Sequence, residues 1–302
     1  MNSSNKHLKS KIDEIGNFTS THNNPPEDLV ESFIKELKVS RLYIPATHND
    51  DEIVFEHLES EDGITVLPLF TSPEEYDGET ELLNYEFEFY AEIIADCDFK
   101  GAVINPESDE VFVSNQITDH LRAKPLPEYS EDEILDAHEL KDIAANVKNE
   151  RLVSFIRDES NFNNFDALIG VLSESVLLNV VSSPRDLSEI SRDGIIATLE
   201  VGGFNLAVMT NGTEKYAVVF TSLEAITDTC DTASGLHYYY QVTSYDRILE
   251  FVLRNDLDGM VIDPSLEDYY IPRNVLLDIY VNHPEIVNNP KYSDGIYYAF
   301  TM

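Results

Sequence analysis

The spacing of apolar residues predicts alternating helices and strands along most of the chain. Residues 29–37 carry an apolar stripe at helical spacing, and residues 64–70 form a near-continuous apolar run typical of a central strand. In the second half, residues 176–181 and 216–220 are also apolar and predict strands. Helical patterns separate the strands in both halves, so the sequence predicts an α+β fold.

Two short motifs occur once in each half of the chain, in the same order. Phe-Thr-Ser stands at residues 70–72 and again at 220–222, a shift of 150 positions. Gly-x-Val-Ile-(Asn/Asp)-Pro stands at 101–106 and again at 259–264, a shift of 158 positions. Repeats of this kind fix the architecture of a chain. They predict two tandem homologous domains, each a small mixed β-sheet packed with helices.

Local composition gives the predicted boundaries of these domains. Residues 1–26 are polar and end in two prolines, which predicts a polar N-terminal tail or a loose helix, and residues 27–123 hold the first repeat. Residues 124–149 predict a linker and a helix, because Ser130 opens a capping-box pattern there. Residues 150–302 hold the second repeat and a C-terminal arm.

The repeated motifs, together with the upstream strand at residues 42–45, resemble the SseB protein N-terminal domain family. The resemblance extends over residues 28–121 and again over residues 165–279. It implies an α+β domain in each half, and it brings no assigned catalytic residue or cofactor. The second half departs from the family at its opening strand, where residues 177–180 read Leu-Leu-Asn-Val.

The charge balance of the chain is strongly acidic. It has 20 basic and 57 acidic residues, a net charge of −37. Such a surface repels nucleic-acid phosphates and anionic lipid head groups, so neither nucleic acid nor membrane is expected as a partner. Three interpretations of the acidity remain: solubility or salt adaptation, a basic protein partner, and mimicry of nucleic acid.

The sequence also indicates a compartment. Two cysteines, Cys97 and Cys230, fit a reducing environment. The first residues lack the apolar core of a signal peptide, and no stretch approaches the roughly 18 apolar residues of a membrane span. We therefore expect a cytoplasmic protein.

The sequence carries no motif for a cofactor or a metal ion. A glycine-rich phosphate loop, a Cys-x-x-Cys pattern and a His-Glu-x-x-His pattern are all absent. The 8 histidines are scattered, and the acidic clusters lack the alternating ligands of an EF-hand loop. We therefore predict no catalytic residue, no cofactor and no metal site.

Six polar residues are candidates for ligand binding because both halves keep them at the ends of the repeated strands, where α/β sheets bind ligands. They are Thr71, Ser72, Asn105, Thr221, Ser222 and Asp263. A structural interpretation stands beside this one, since Ser and Thr cap helices and a short polar side chain before proline suits a turn. A serine nucleophile also needs a base, and no nearby histidine recurs between the halves.

The tyrosine run Tyr238, Tyr239 and Tyr240 is a candidate partner-binding patch, because tyrosine is favoured at interfaces. An ordinary strand with one buried face is the structural interpretation of the same run.

The sequence favours a non-enzymatic adaptor or regulator that binds another protein through an acidic or tyrosine-rich face. Two alternatives stay open. One is a small-ligand-binding or enzymatic module with a pocket between the repeats. The other is an immunity or inhibitor protein that neutralises a basic partner by its charge.

Overall fold

The fold of the chain is described by a computed structural model. The structure describes residues 5–22, 24–49, 52–59, 63–97, 99–122, 136–161, 164–183, 186–187, 195–197, 205–230, 237–243, 245–266, 268–283 and 296–299. The chain divides into two compact units: the first is Met1–Pro125 with Arg254–Asp256, and the second is Leu126–Leu253 with Leu257–Met302. Helices and mixed strand pairs occur in both units, so the predicted α+β fold is confirmed.

The described part of the first unit contains four helices and seven strands. In chain order they are α1 (Lys6–Thr19), α2 (Glu27–Val39), β1 (Arg41–Asn49), β2 (Glu52–Phe55), β3 (Leu58–Glu59), β4 (Thr65–Leu69), β5 (Glu81–Glu86), α3 (Phe87–Asp96), β6 (Gly101–Ile104), β7 (Val111–Ser114) and α4 (Asn115–Leu121).

The strands of the first unit form two sheet segments. β1 lies between β2 and β5 and is antiparallel to both. β4 lies between β3, to which it is antiparallel, and β6, to which it is parallel, and β7 pairs with β6 on the far side. An antiparallel bridge between Tyr43 and Phe70 joins the two segments. The proline at position 68 is tolerated in β4 because β3 pairs only as far as Val66, so the missing N–H leaves no β3 carbonyl unpaired.

One apolar core holds the first unit together. Its buried members come from α1, α2, α3 and one face of the strands, and include Leu8, Ile12, Leu37, Leu42, Leu69, Phe87 and Ile104. Full burial of an aliphatic or aromatic side chain contributes about 1.5–3 kcal/mol to folding. The core therefore fixes the helices against the strands whose ends carry the candidate polar residues.

The described part of the second unit contains six helices and nine strands. In chain order they are α5 (Ala137–Asn146), α6 (Glu150–Arg157), α7 (Phe165–Ser173), β8 (Leu177–Ser183), β9 (Ile195–Ala197), β10 (Asn205–Leu206), β11 (Val208–Asn211), β12 (Glu214–Phe220), α8 (Leu223–Thr229), β13 (His237–Thr243), α9 (Tyr245–Arg254), β14 (Gly259–Ile262), β15 (Tyr269–Pro272), α10 (Arg273–Asn282) and β16 (Ile296–Ala299).

A single sheet runs through the second unit in the order β15-β14-β12-β8-β13-β16-β9. β12 and β14 are parallel, and the other neighbours on this path are antiparallel. β10 pairs with β8, and β11 pairs with β12. An apolar core that includes Leu140 of α5, Ile226 of α8 and Phe220 of β12 covers one face of this sheet.

Strand pairs in the two units follow the same register. In the first unit Leu42 faces Tyr85, Tyr43 bridges Phe70, and the N–H of Glu56 donates to the carbonyl of Pro45. In the second unit Leu177 faces Thr243, Leu178 pairs with Phe220, and the N–H of Ala207 donates to the carbonyl of Val180. The parallel pair β4–β6 corresponds in the same way to β12–β14.

Part of the predicted polar segment at residues 1–26 is helical. Residues 6–19 form α1, and its Leu8 and Ile12 side chains are each only 1% exposed in the core of the first unit. Because these two residues are one helical turn apart, they form one apolar face of the helix. The apolar pattern is weak in the sequence because most residues of the segment are polar.

The helix predicted in the segment 124–149 is present as α5, but it begins later than its predicted cap. Residues 123–135, which include Ser130, lie outside the described residues. The observed cap is Asp136, whose carboxylate accepts from the N–H of Glu139 while the Glu139 side chain accepts from the N–H of Asp136.

Candidate functional site

Thr71 and Asn105 meet at the end of the parallel strand pair of the first unit. The Asn105 Oδ1 atom accepts from the Thr71 N–H at 2.9 Å and from the Thr71 hydroxyl at 3.2 Å. Thr71 is 0% exposed and Asn105 is 1% exposed. Asn105 adopts a left-handed backbone with φ of 48°, which asparagine tolerates better than most residues.

Asn5 completes this arrangement from the start of α1. Its side-chain amide donates to the carbonyl of Thr71 at 2.7 Å and to the carbonyl of Arg41 at 2.6 Å. Asn5 is also left-handed, with φ of 43°, and its own carbonyl accepts from the N–H of Lys9. We call Asn5, Thr71 and Asn105 the first clamp, because they tie the N-terminal helix to the ends of three strands.

A second clamp in the other unit is built from Asn149, Thr221 and Asp263. The Thr221 N–H donates to Asp263 Oδ1 at 2.9 Å, and its hydroxyl donates to Asp263 Oδ2 at 2.5 Å. Asn149 donates its amide to the carbonyls of Thr221 and Val176 at 2.8 and 2.6 Å. Asn149 and Asp263 have φ of 44° and 47°, so the backbone of this clamp matches that of the first.

The clamps bring four of the six predicted site residues together, in two separate pairs. All four are buried, and their hydrogen bonds run to one another and to backbone groups. Buried polar groups need such partners, because an unsatisfied one costs about 1–3 kcal/mol. Burial therefore favours the turn interpretation of these four residues over the ligand-binding one.

The two predicted serines differ in what they do. Ser222 caps α8, since its hydroxyl accepts from the N–H of Ala225 at 3.2 Å. Ser72 precedes only a short 3-10 turn at Pro73–Glu75 and makes no side-chain cap to its backbone. Ser72 therefore does not begin an α-helix, because the turn ends at Tyr76 in an extended conformation.

An ion pair lies beside the first clamp. Lys9 of α1 donates to Glu75, whose second carboxylate oxygen accepts from the Ser108 hydroxyl at 2.8 Å. The hydrogen bond from Lys9 and, second to it, the one from Ser108 lower the pKa of the Glu75 carboxyl. The hydrogen bond to Glu75 in turn raises the pKa of Lys9. Glu75 therefore ties α1 to the turn that follows Asn105.

The tyrosine run lies within β13, in the interior of the sheet. Tyr239 and Tyr240 are only 3% and 5% exposed, and Tyr238 is half-buried. The Tyr239 hydroxyl accepts from the N–H of Leu187 at 2.7 Å. Burial of Tyr239 and Tyr240 in a strand that is paired on both sides favours the ordinary-strand interpretation of this run over an exposed patch.

The outer edge of β5 is the feature that most distinguishes the two units. Among the described residues β5 pairs with β1 alone. The corresponding strand of the second unit, β13, pairs with β8 on one side and with β16 on the other. Glu79, which precedes β5, and Glu81, its first residue, are exposed, and Glu86 lies half-buried at its end.

Residues 20–118 match the model of the SseB protein N-terminal domain family. This match begins after α1, ends within α4 and confirms the predicted resemblance for the first half of the chain. The SseB match includes Thr71 and Asn105 of the first clamp, whereas Asn5 lies upstream of it. No curated protein and no solved structure matches the chain.

Two further properties bear on the chemistry of the chain. Across the described ranges, no group of three or more His, Cys, Asp or Glu side chains is placed to hold a metal ion. Within those same ranges, no helix is both long and apolar enough to cross a lipid bilayer.

Sequence patterns did not indicate Asn5 and Asn149 as clamp residues. Each stands three residues before a buried leucine, Leu8 and Leu152, and this Asn-x-x-Leu spacing is the only local signal they share. Their partners lie 66 and 72 positions away, so the contact depends on the tertiary fold.

Proposed function

We propose that the protein is a non-enzymatic, acidic protein-binding adaptor or regulator built from two related SseB-like units. The observation that carries this proposal is the difference between two equivalent strands. The edge of β13 is covered by β16, while the described residues leave the same edge of β5 without a strand. Free strand edges are templates for pairing with another chain.

The kinship of the two units supports this comparison. Corresponding residues have the same roles in the two clamps. The backbone is left-handed at Asn5 and Asn149, and also at Asn105 and Asp263. The registers of β1–β5 and β8–β13 correspond pair by pair. Independent origin of all these features is a poorer explanation than duplication, so we propose that the second unit is a diverged copy of the first.

The orientation of the β5 backbone supports a docking role for its edge. The carbonyl of Pro45 accepts from Glu56 on the side of β1 away from β5. Leu82 is the residue opposite Pro45 in the ladder. In an antiparallel pair, two opposite residues direct their backbone N–H and carbonyl groups either both toward each other or both away from each other. Because the carbonyl of Pro45 points away from β5, the N–H and carbonyl of Leu82 point away from β1, where an added strand pairs. The equivalent residue, Tyr240, pairs with Tyr298 of β16.

The charge around this edge selects the partner. Glu79 and Glu81 are exposed beside it, and the whole chain carries a net charge of −37. An acidic edge attracts a basic segment and speeds its association at low salt. We propose that the occupant is an extended, basic segment of another protein, added antiparallel to β5 as β16 is to β13.

The repeated polar residues support a non-enzymatic function. Thr71, Asn105, Thr221 and Asp263 are buried and bonded within their clamps, which leaves them no access to a substrate. Nucleophilic catalysis needs an accessible nucleophile next to a base. These residues instead stabilise the strand ends that position β5 and β13.

Binding of a labelled peptide tests the proposal. The probe is a fluorescein-labelled heptapeptide with the sequence Lys-Ile-Lys-Tyr-Lys-Ile-Lys, measured by fluorescence anisotropy. We expect binding at about 50 mM salt that is lost at about 500 mM, because screening shortens the reach of charge–charge attraction. A peptide of the same sequence with N-methylated alternate amides is expected to bind at least about tenfold more weakly, since it lacks the backbone donors.

Two variants and a matched control locate the site. Leu82→Pro removes the outward N–H, and Glu81→Lys reverses an exposed charge; each is expected to weaken binding about tenfold. Asp142→Lys makes the same charge change on the exposed side of α5 and is expected to leave binding within about twofold. Equal weakening by Glu81→Lys and Asp142→Lys, with no effect of Leu82→Pro, would overturn the edge-docking proposal.

A further inference from the structure

Strand β5 carries partly exposed apolar side chains next to its outer edge. Leu83 and Tyr85 pack against the core of the first unit, but both are only half-buried. Phe89, in the first turn of α3, is 42% exposed. Exposed strand edges usually carry charged side chains, which discourage pairing with other chains. Three partly exposed apolar residues are therefore unusual at an edge that only water covers.

Two of these residues form a pair of aromatic rings. The ring centroids of Tyr85 and Phe89 lie 4.5 Å apart, with an angle of 38° between the ring planes. Phe55 of β2 lies near both, with ring centroids 6.5 Å from Tyr85 and 6.3 Å from Phe89. These contacts position the two rings while Phe89 stays partly exposed. We call Tyr85 and Phe89 the aromatic step.

Polar residues stand at the matching positions of the second unit. By strand register, Thr243 of β13 corresponds to Tyr85 of β5. Arg247 of α9 lies four positions after Thr243, as Phe89 of α3 lies four positions after Tyr85. The edge that β16 covers thus has polar residues where the edge without a described partner strand has two aromatic rings. This difference favours a contact of the aromatic step with another molecule.

A strand added to β5 brings alternate side chains onto this step. Opposite residues of neighbouring strands have their side chains on the same face of the sheet, with Cβ atoms about 4.5–5.5 Å apart. The added residue opposite Tyr85 therefore contacts the Tyr85 ring, and a side chain long enough to extend along that ring reaches Phe89. Its two neighbours point to the opposite face, which carries the polar side chains of Asn84 and Glu86.

We propose that the segment that docks on β5 is anchored by one aromatic side chain, which lies opposite Tyr85 and packs on Tyr85 and Phe89. This inference rests on the proposed docking at the β5 edge and adds its specificity. Backbone hydrogen bonds give affinity for extended segments in general, and the aromatic step selects those with a ring at one position. Ring pairs add to affinity beyond the apolar area that they bury, so an aromatic residue is favoured over an aliphatic one. The partner is thus an extended segment with an aromatic residue between basic residues.

Three fluorescein-labelled heptapeptides test the anchor on the full chain by fluorescence anisotropy at about 50 mM salt. They share the sequence Lys-Thr-Lys-X-Lys-Thr-Lys, in which X is tyrosine, leucine or threonine. We expect the tyrosine peptide to bind about tenfold more tightly than the threonine peptide, with the leucine peptide between them. Equal binding of the tyrosine and threonine peptides would overturn the anchor. A leucine peptide as tight as the tyrosine peptide would contradict its aromatic character.

Phe89→Ala and Phe165→Ala are a matched pair of variants. Both phenylalanines are 42% exposed in the first turn of a helix, α3 and α7 respectively. Phe89→Ala is expected to bring the tyrosine peptide within about twofold of the threonine peptide, whose own affinity is unchanged because it has no ring. Phe165→Ala is expected to keep the tenfold preference. A preference that survives Phe89→Ala would overturn the proposal.

A second substitution at the same position guards against a loss of folding. Phe89→Leu keeps apolar bulk and removes the ring, so the tyrosine peptide is expected to bind within about twofold of the leucine peptide. An unchanged preference for tyrosine over leucine in Phe89→Leu would also count against the aromatic step.

Failure of the anchor is distinguishable from failure of docking at the edge. If none of the three peptides binds the original protein, or if Leu82→Pro leaves all three affinities unchanged, docking and anchor are both wrong. If Leu82→Pro weakens all three peptides about tenfold and the original protein binds them equally, docking stands and the anchor alone is wrong.

Discussion

Asn105 and Asp263 hold the same position in their two units with different chemistry. Each has a left-handed backbone, with φ of 48° and 47°, and each accepts hydrogen bonds from the N–H and the hydroxyl of a threonine. In the first clamp the acceptor is a neutral amide, whose Nδ2 also donates to the Thr71 hydroxyl at 3.1 Å. In the second it is a carboxyl group, which offers two oxygens to Thr221.

Both threonine hydroxyls are expected to stabilise their clamps, through different bonds. Thr71→Val removes one bond that the hydroxyl donates and one that it accepts, and it leaves the buried Asn105 Nδ2 donor without its threonine partner. It is expected to lower the free energy of unfolding by about 1–3 kcal/mol. Thr221→Val removes one bond to a carboxyl oxygen and is also expected to cost about 1–3 kcal/mol. Urea unfolding followed by far-UV circular dichroism measures both, with Thr227→Val as the exposed control. A loss for either variant that is no larger than that of Thr227→Val would contradict this account.

The asparagines that begin α1 and α6 allow backbone strain to be separated from hydrogen bonding. Asn149→Gly keeps an easy left-handed conformation but removes the amide bonds to Val176 and Thr221. Asn149→Ala removes the same bonds and adds strain at a φ of 44°. We expect Asn149→Ala to be less stable than Asn149→Gly by about 1 kcal/mol, measured by the same unfolding experiment. Equal stability of the two variants would show that the left-handed backbone relaxes at no cost.

Gly101 is required by the close approach of β7. A Cβ atom at this position would overlap the carbonyl oxygen of Val113, and the φ of 149° is unfavourable for other residues. Gly101→Ala is therefore expected to cost at least about 2 kcal/mol in unfolding free energy. Gly170 in α7 has open space around it, so Gly170→Ala is expected to stabilise the protein by about 0.5–1 kcal/mol. The same sign for both substitutions would contradict the proposed steric cause.

The Glu75–Lys9 pair is expected to contribute to the free energy of unfolding by an amount that depends on pH. The pKa of Glu75 is lowered in the folded state, so its contribution is present above the unfolded value of about 4.3 and is lost as the pH falls through the folded value. Glu75→Gln is expected to be less stable than the original protein at pH 7 by up to about 1 kcal/mol, with the difference vanishing near pH 3. Glu31→Gln removes the exposed pair with Lys35 and is expected to change little at either pH. A difference for Glu75→Gln that is constant from pH 7 to pH 3 would exclude this linkage.

Much of the fold is predictable from local patterns. The apolar stripe at residues 29–37 predicts a helix, and α2 (Glu27–Val39) forms there. The central strands β4, β6, β12 and β14 follow from their apolar runs and bounding turns.

The rest of the candidate site depends on contacts that no local pattern encodes. Asn5 reaches Thr71 across 66 positions, and Tyr240 pairs with Tyr298 of β16, which follows α9, β14, β15 and α10 along the chain. Periodicity reports which face of an element is buried, but it does not report what covers that face.

The arrangement of β13 and β16 has a consequence for synthesis of the chain. The ribosome must add α9, β14, β15 and α10 before the segment that covers β13 emerges. At a rate of about 5–20 residues per second, the nascent second unit spends several seconds with that strand uncovered. The first unit has all its described strands by then. Newly made chains therefore expose two similar strand edges for a short interval: that of β13 and, as far as the described residues show, that of β5. During this interval neighbouring copies on one messenger can join by mistake.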